Sequence, residues 1–243
     1  TMMAFSEFLL QDHAANLGTE GRDYIRHVAD ASQRMRAMIQ GLLNLSRAGK
    51  VTEEFAPVWL EELVNVARGD LGELIRGRGA ELVYVGPSLT LWGDRRRLQQ
   101  LLNNLVSNGI KYNESKHPRV VVGVGDPVEP ESDAPSVPFE QEDDTIDSLM
   151  TADGPIQTFY IRDNGIGIDP RHHQRIFQLF RRLHTANEYE GTGVGLALCN
   201  KIVQAHGGLI RVNSGTGAGS TFVISLPARP DSDAIDSELF SIA

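Results

Sequence analysis

The sequence predicts an α+β protein in two parts, a helical hairpin followed by an α/β sandwich with helices covering one face of a mixed sheet. Three observations carry that prediction. Apolar residues in the first 48 positions recur at alternating steps of four and three. From residue 58 onward, short β-type runs and amphipathic helical stretches interleave. The final strand-like runs are joined by turn glycines, as in a hairpin.

The apolar stripe runs Tyr24, Val28, Ala31, Met35, Met38, Leu42 and Leu45. This spacing gives a seam of period 3.5, the pattern of a helix packed in a coiled coil or four-helix bundle. Before it, Phe5, Phe8 and Leu9 mark one face of a shorter helix, and Asn16, Gly18, Thr19 and Gly21 punctuate the connection, with Thr19 the expected N-cap. A hairpin supplies only two helices, so residues 1–50 are expected to dimerise into a four-helix bundle. The plainer alternative is an ordinary helix pair folded against the rest of the chain.

Residues 49–57 read as a linker. Within 51–230, a strand and then a helix are expected over 58–69, strands at 81–85 and 89–92, and a long amphipathic helix at 95–112. Strands follow at 120–124 and 158–162, helices near 172–183 and at 192–205, and strands at 209–213 and 220–226.

Ten acids fall between residues 126 and 153, from Asp126 and Glu129 through Asp147 and Asp153, with no Lys or Arg among them. The whole chain has a net charge of −9, so without those ten the remainder stands at +1. The acidity therefore belongs to one segment, and no clustered basic face suggests nucleic-acid binding. Residues 125–155, rich in Pro, Asp, Glu and Ser, are expected to be a disordered insertion between two strands, and 231–243 an acidic frayed tail.

The 243 residues are 41% hydrophobic, enough for a buried core, yet no apolar run approaches the ~20 residues of a membrane span. No signal-peptide pattern opens the chain. Thr1 lies inside a helical pattern, which suggests a piece of a longer protein. One cysteine, Cys199, excludes an internal disulfide and fits a reducing, cytoplasmic setting.

Three clusters carry chemistry. In Asn103-Asn104-Leu105-Val106-Ser107-Asn108, the carboxamides of Asn104 and Asn108 share a helix face, and Lys111 reaches the same region. Carboxamides on a packed helix need partners, and Mg²⁺ with phosphate is one; a solvated face is the plain alternative. In Asp163-Asn164-Gly165-Ile166-Gly167, a carboxylate at a strand end precedes a glycine turn. It can accept from an exocyclic amine such as that of adenine, although Asn-Gly is also an ordinary turn. In Gly191-Thr192-Gly193-Val194-Gly195-Leu196, a glycine loop opens a helix and offers N–H groups to phosphate. Its spacing fits neither the Walker loop nor the dinucleotide fingerprint.

In this order, the clusters resemble the nucleotide site of the GHKL superfamily. Asn103 to Tyr112 resembles the N box, Asp163 to Gly167 the first glycine box and Gly191 to Gly195 the second. Ile176-Phe177 to Phe180-Arg181 is similar to the F box, and Gly217-Ala218-Gly219-Ser220-Thr221 to the last glycine motif. Leu42-Leu43-Asn44-Leu45-Ser46-Arg47 resembles the second helix of a sensor histidine kinase dimerisation and phosphotransfer domain. The stretch Arg181-Arg182-Leu183-His184-Thr185 with Glu188-Tyr189 looks like the phytochrome- and PAS-associated subgroup.

That resemblance implies ATP and Mg²⁺ as cofactors and a protein-histidine kinase of a two-component system. Asn108 would ligate Mg²⁺, Asn104 and Lys111 would contact phosphate, and Tyr112 would lie against the base or sugar. Asp163 would hold the adenine amine, with Gly165 and Gly167 by the ring and Thr221 bonding nearby. Gly191, Thr192, Gly193, Val194, Gly195 and Leu196 would hold the triphosphate, with residues 169–190 as a lid. The implied partners are a second copy through the hairpin, a response-regulator receiver domain and an upstream sensor domain.

Two departures stand out. GHKL ATPases place a Glu general base four residues before the metal-binding Asn, where this chain has Asn104, whose amide cannot take a proton. The acceptor motif is also absent, and the resemblance places that His about eight residues before Thr1 on the same helix. His13, His27, His172 and His173 read as surface residues, His206 as serving a helix C-terminus, and no Cys/His cluster has zinc spacing. A conformational ATPase and a non-catalytic nucleotide-binding module are the alternatives to a kinase.

Overall fold

The structure, a computed structural model, describes residues 2–13, 17–48, 54–125, 127, 155–181 and 193–228. The acidic insertion and tail, Asn16, Gly191 and Thr192 lie outside these residues. The chain divides into two units, Thr1–Arg47 and Ala48–Ala243.

The first unit holds helices α1 (Met2–Asp12) and α2 (Thr19–Ala48). Thr19 is the first helical residue and not the cap. The carbonyl of Gly18 accepts the first intrahelical bond, from Arg22 N at 3.1 Å, which makes Gly18 the N-cap. Along the 30 residues of α2, Tyr24, Val28, Met35 and Leu42 are all exposed. Most of the seam foreseen in the sequence is therefore exposed among the described residues, with Met38 and Leu45 half-buried.

The second unit is built on two sheets. Strands β1 (Ala56–Trp59) and β3 (Thr90–Gly93) pair antiparallel as a two-stranded ribbon. The main sheet has the order β2-β4-β5-β7-β6, from β2 (Glu81–Val85), β4 (Arg119–Val124), β5 (Ile156–Asp163), β6 (Leu209–Ser214) and β7 (Ser220–Pro227). Only β2 and β4 run parallel, so the sheet is mixed, as expected. Helices α3 (Leu60–Asp70), α4 (Gly72–Arg78), α5 (Arg95–Lys111) and α6 (Gly195–Ala205) complete the unit.

Alternation along β5 sends Phe159 and Ile161 into the core, where α5 packs on β4 and β5 and both α3 and α6 pack on α5. Leu98, Leu101, Leu102, Leu105 and Ile110 form the buried stripe of α5, met by Leu198 and Ile202 of α6.

Three helical readings need correction. The sequence reading overlooked α4, because its seven residues include Gly72 and Gly77 and bury no side chain, so no apolar period announces it. The helix expected near 172–183 is instead a 3₁₀ turn, Pro170–His172, followed by further turns up to Arg181. Ile176 is buried there, but Leu179 and Phe180 are exposed, so no continuous apolar face sustains an α-helix. The last helix begins at Gly195 and not at 192, after Gly193 at φ 69°.

The described residues close the base of the β4–β5 connection. Val124 lies opposite Phe159, and Gly125 N donates to the Thr158 carbonyl at 2.8 Å. A short turn therefore suffices there, and each doubling of loop length costs only about 0.6 kcal/mol. Replacing Asp126 through Gly154 with a short Gly-Ser turn is expected to leave nucleotide affinity within about threefold. Calorimetry on the shortened chain checks this, and loss of folding would show that the acidic segment packs.

Candidate functional site

Asp94 starts α5 by accepting from the backbone N–H groups of Arg96 at 3.0 Å and Arg97 at 3.1 Å. With one stripe of α5 buried, Asn104, Asn108 and Lys111 are left half-buried along another. The Asn104 Nδ2 is buried and reaches no acceptor among the described residues. Beside it lies Cys199 of α6, whose thiol burial pushes up to about 12 against the opposing influence of the Asn104 amide. Asn108 faces the start of α6: a Cβ built on Gly195 would lie 4.0 Å from its Nδ2.

Gly109, the next residue, lets α5 sit on the end of β5. A Cβ there would come within 2.9 Å of the Asp163 Cβ and 3.0 Å of a Val120 methyl, so only glycine permits this approach. The helix that carries the asparagines thus meets the end of β5 at Asp163, remote in sequence.

Asp163 is half-buried at the strand end. Its Oδ1 accepts from Gly165 N at 2.8 Å and Ser220 N at 3.2 Å, while Oδ2 takes no bond from the described residues. Burial raises its pKa to about 6 from the ordinary 3.8, against the downward pull of those two amides. A carboxylate held by one oxygen has the other for an incoming donor.

The turn around it is fixed from both sides. Ile166 N donates to the Tyr112 carbonyl at 3.0 Å, and Gly217 N donates to the Ile166 carbonyl at 2.7 Å. Gly167 has φ 70°, and a Cβ there would strike the Gly215 carbonyl. Asn164 Oδ1 accepts from Arg119 N at 2.7 Å and from the buried Asn113 amide at 2.9 Å. Ser214 Oγ accepts from Ile168 N and donates to the Gly219 carbonyl, both at 2.7 Å.

At α6, Val194 is the cap, and no side-chain capping bond forms there among the described residues. The first-turn N–H groups and the helix dipole present positive character beside Asn108. Gly193 O accepts from Phe180 N at 3.0 Å, tying the turn at Phe180 to this loop.

One predicted residue falls elsewhere. Thr221 lies opposite Arg162, on the other sheet face from Asp163, and its hydroxyl accepts from Arg162 Nε at 3.1 Å. Ser220 is the residue opposite Asp163 and the one that bonds it. Counting by twos along a strand would have separated the two, but the register became known only when β5 met β7. Sequence reasoning also missed Asn113 and Ser214, ordinary polar residues whose role depends on distant backbone. Asp163, Gly165 and the Tyr112 carbonyl lie together beside Gly109, and Asn108 faces Gly195, with Val194 buried and Lys111, Tyr112 and Leu196 half-buried. Gly191 and Thr192 are outside the described residues.

No group of three or more His, Cys, Asp or Glu side chains comes together among the described residues. A divalent cation held here would therefore draw on carboxamide oxygen and on oxygens of the ligand itself. Such a donor set suits Mg²⁺, which keeps few protein ligands and prefers phosphate and water.

Residues 93–230 match the family described as histidine kinase-, DNA gyrase B- and HSP90-like ATPases. Over 92% of its length the chain is 32% identical to the phytochrome-like protein Cph1 of Synechocystis, covering 26% of that protein. It is 28% identical to the circadian input-output histidine kinase CikA of Synechococcus elongatus, over 93% of the chain and 28% of that relative. The chain thus spans about a quarter of the length of the curated relatives it matches. Among solved structures, full-length ShkA in complex with AMPPNP shares the fold at TM-score 0.61 and 23% identity, over 93% of this chain and 42% of that one. Histidine kinase ThkA in complex with response regulator protein TrrA does so at 0.60 and 19%, over 96% and 59%.

Proposed function

The chain belongs to the histidine kinase-, DNA gyrase B- and HSP90-like ATPase family, and from that premise we propose that it is the dimerising and ATP-binding core of a sensor histidine kinase. It transfers the γ-phosphoryl of Mg-ATP to a histidine imidazole expected upstream of residue 1, and from there to an aspartate of a response regulator. As the N–P bond forms, the bond from the γ-phosphorus to its bridging oxygen breaks and ADP leaves.

The observation that carries transfer over hydrolysis is Asn104. It stands four residues before Asn108, on the same helix face, and its amide can neither deprotonate a water nor hold a proton at neutral pH. What remains is positioning and charge neutralisation, which is most of phosphoryl-transfer catalysis. Asp163 holds the adenine amine through Oδ2. The first-turn amides of α6 and Lys111 face the phosphates. Asn108 supplies a carboxamide oxygen to Mg²⁺, which when bound neutralises phosphate charge. Residues 169–190 serve as the lid.

Support for the wider setting is indirect. The hairpin's uncovered apolar seam suits a homodimer. Relatives carry names such as phytochrome-like protein, which suits an upstream sensor domain of that kind or a PAS domain. The ThkA neighbour is bound to a response regulator, which suits a receiver-domain partner. No helix of the described residues is long and apolar enough to cross a membrane; a cytoplasmic location is part of the proposal.

The test uses labelled ATP. The chain alone is expected to gain no acid-labile, alkali-stable label, whereas an added hairpin carrying an acceptor histidine becomes labelled. Strong labelling of His13 or His27 would move the acceptor into this chain. Sustained hydrolysis over many turnovers without acceptor would return the protein to the conformational ATPases.

A further inference from the structure

Helices α5 and α6 lie antiparallel, with Asn108 facing Gly195 at one end and a single imidazole joining them at the other. That imidazole, His206, is 6% exposed. Its Nε2 accepts from Asp94 N at 3.0 Å, where α5 begins, and its Nδ1 donates to the Ile202 carbonyl at 2.8 Å in the last turn of α6. A backbone N–H only donates and a carbonyl only accepts, so the ring is neutral with its proton on Nδ1. Burial holds its pKa below the ordinary histidine range with help from Arg97, against the pull of the Ile202 carbonyl and the charge of Asp94.

The fit around the ring is tight. A Cβ on Gly93 would lie 2.6 Å from the His206 Cδ2. Phe55 stacks on the ring, with centroids 4.8 Å apart and planes at 11°. Phe55 directly precedes β1, so the chain enters this domain across that ring.

We infer that His206 is a positioning residue for the nucleotide site, pinning the spacing of α5 and α6, and that Phe55 is the contact through which the entering chain bears on that pin. The inference rests on reading the Asn108–Gly195 end as the phosphate side. From the pin, Asn108 is about 20 Å away along α5 and Gly195 about 15 Å along α6. Between them the helices are already in contact, with Cys199 Sγ 3.9 Å from the Leu101 carbonyl and Asn104 beside it. Two rigid helices fixed at one end transmit a small change of spacing to the other as a change in the gap that receives phosphate.

Three variants of the full chain test this. His206→Phe keeps a ring under Phe55 and removes both hydrogen bonds. His206→Gln keeps a donor and an acceptor and removes the ring. Phe55→Ala removes the stack alone. Calorimetry gives Mg-ADP affinity at pH 7.5, thermal melts give stability, and amide exchange reads residues 104–108 and 198–201.

His206→Phe is expected to weaken Mg-ADP about tenfold and to speed exchange at both remote stretches, while Phe55→Ala and His206→Gln, which lose the stack and keep the hydrogen-bonding groups, are each expected to lose about threefold with smaller changes in exchange. A lowered melting temperature with affinity within about twofold of wild type and unchanged remote exchange would overturn the inference, because a local structural role predicts that pattern. If His206→Phe does not fold, Phe55→Ala decides by the same two readings. A wild-type chain that binds no Mg-ADP sinks the nucleotide reading, and the exchange comparison then decides the pin by itself.

Discussion

Asp163→Ala is expected to remove measurable Mg-ATP and Mg-ADP binding from this chain. The carboxylate is half-buried, its Oδ1 is held by two backbone amides, and Oδ2 is what the turn presents to a donor. Losing a charge-assisted hydrogen bond at such a site costs about 1.5–3 kcal/mol, and the emptied space beneath the glycine turn adds to that. Calorimetry showing unchanged affinity would take Asp163 out of the adenine site.

The same residue predicts a pH effect of definite sign. Its folded pKa, about 6, lies above the ordinary 3.8, so between those values the folded state binds more protons than the unfolded one. Its contribution to stability is therefore fully present below pH 3.8 and is lost as pH rises through about 6. At neutral pH the buried charge costs on the order of 3 kcal/mol in the absence of ligand. Asp163→Asn, which keeps the shape and an acceptor, is expected to melt higher than wild type at pH 8 and about level with it near pH 4, while binding nucleotide poorly. In wild type, affinity for Mg-ADP is expected to fall about fourfold from pH 7.5 to 5.5 as the carboxylate protonates, with Mg²⁺ in excess so that the phosphates stay ionised. A variant no more stable than wild type at pH 8 would mean that the buried charge is already compensated.

Leu42→Asp is expected to convert a dimer into monomers that still bind ATP. Met35 and Leu42 are 58% and 48% exposed on α2, and Tyr24 and Val28 of the same stripe are exposed as well. Burying Leu42 is worth roughly 1.5–3 kcal/mol per chain and counts twice in a two-fold bundle. A carboxylate at that position adds the cost of an unpaired buried charge. The nucleotide residues all follow Asp94 and belong to the second unit, so the change should not reach them. Sedimentation of wild type and variant over a range of concentrations reads the result. A wild-type chain monomeric at high concentration would remove the bundle for these residues, and a variant without ATP binding would show that the two units depend on each other.

Local chemistry explains what could be read early. The strands and the long helices announce themselves through periods of 2 and 3.6 set by side-chain direction, and here they emerge within a few residues of expectation. Asp163 beside Gly165 and Gly167 was legible because a strand end, an acid and a glycine turn are neighbours in the chain. The two failures in secondary structure came where no apolar period exists, at α4 and after Pro170.

By itself, then, the sequence determined the order of the strands and long helices, the apolar seam on α2 and the asparagine, aspartate and glycine clusters. Each of these is written in residues within a few positions of one another. Tertiary structure alone decided which side chains meet across long separations. It set Ser220 and not Thr221 against Asp163, because the β5–β7 register fixes which face each residue takes. It brought Gly109, the neighbour of Asn108, onto the end of β5 beside Asp163. And it placed His206 between Asp94 and Ile202 under Phe55, a contact with no local signal, since it exists only once two helices and an entering chain pack around one buried ring.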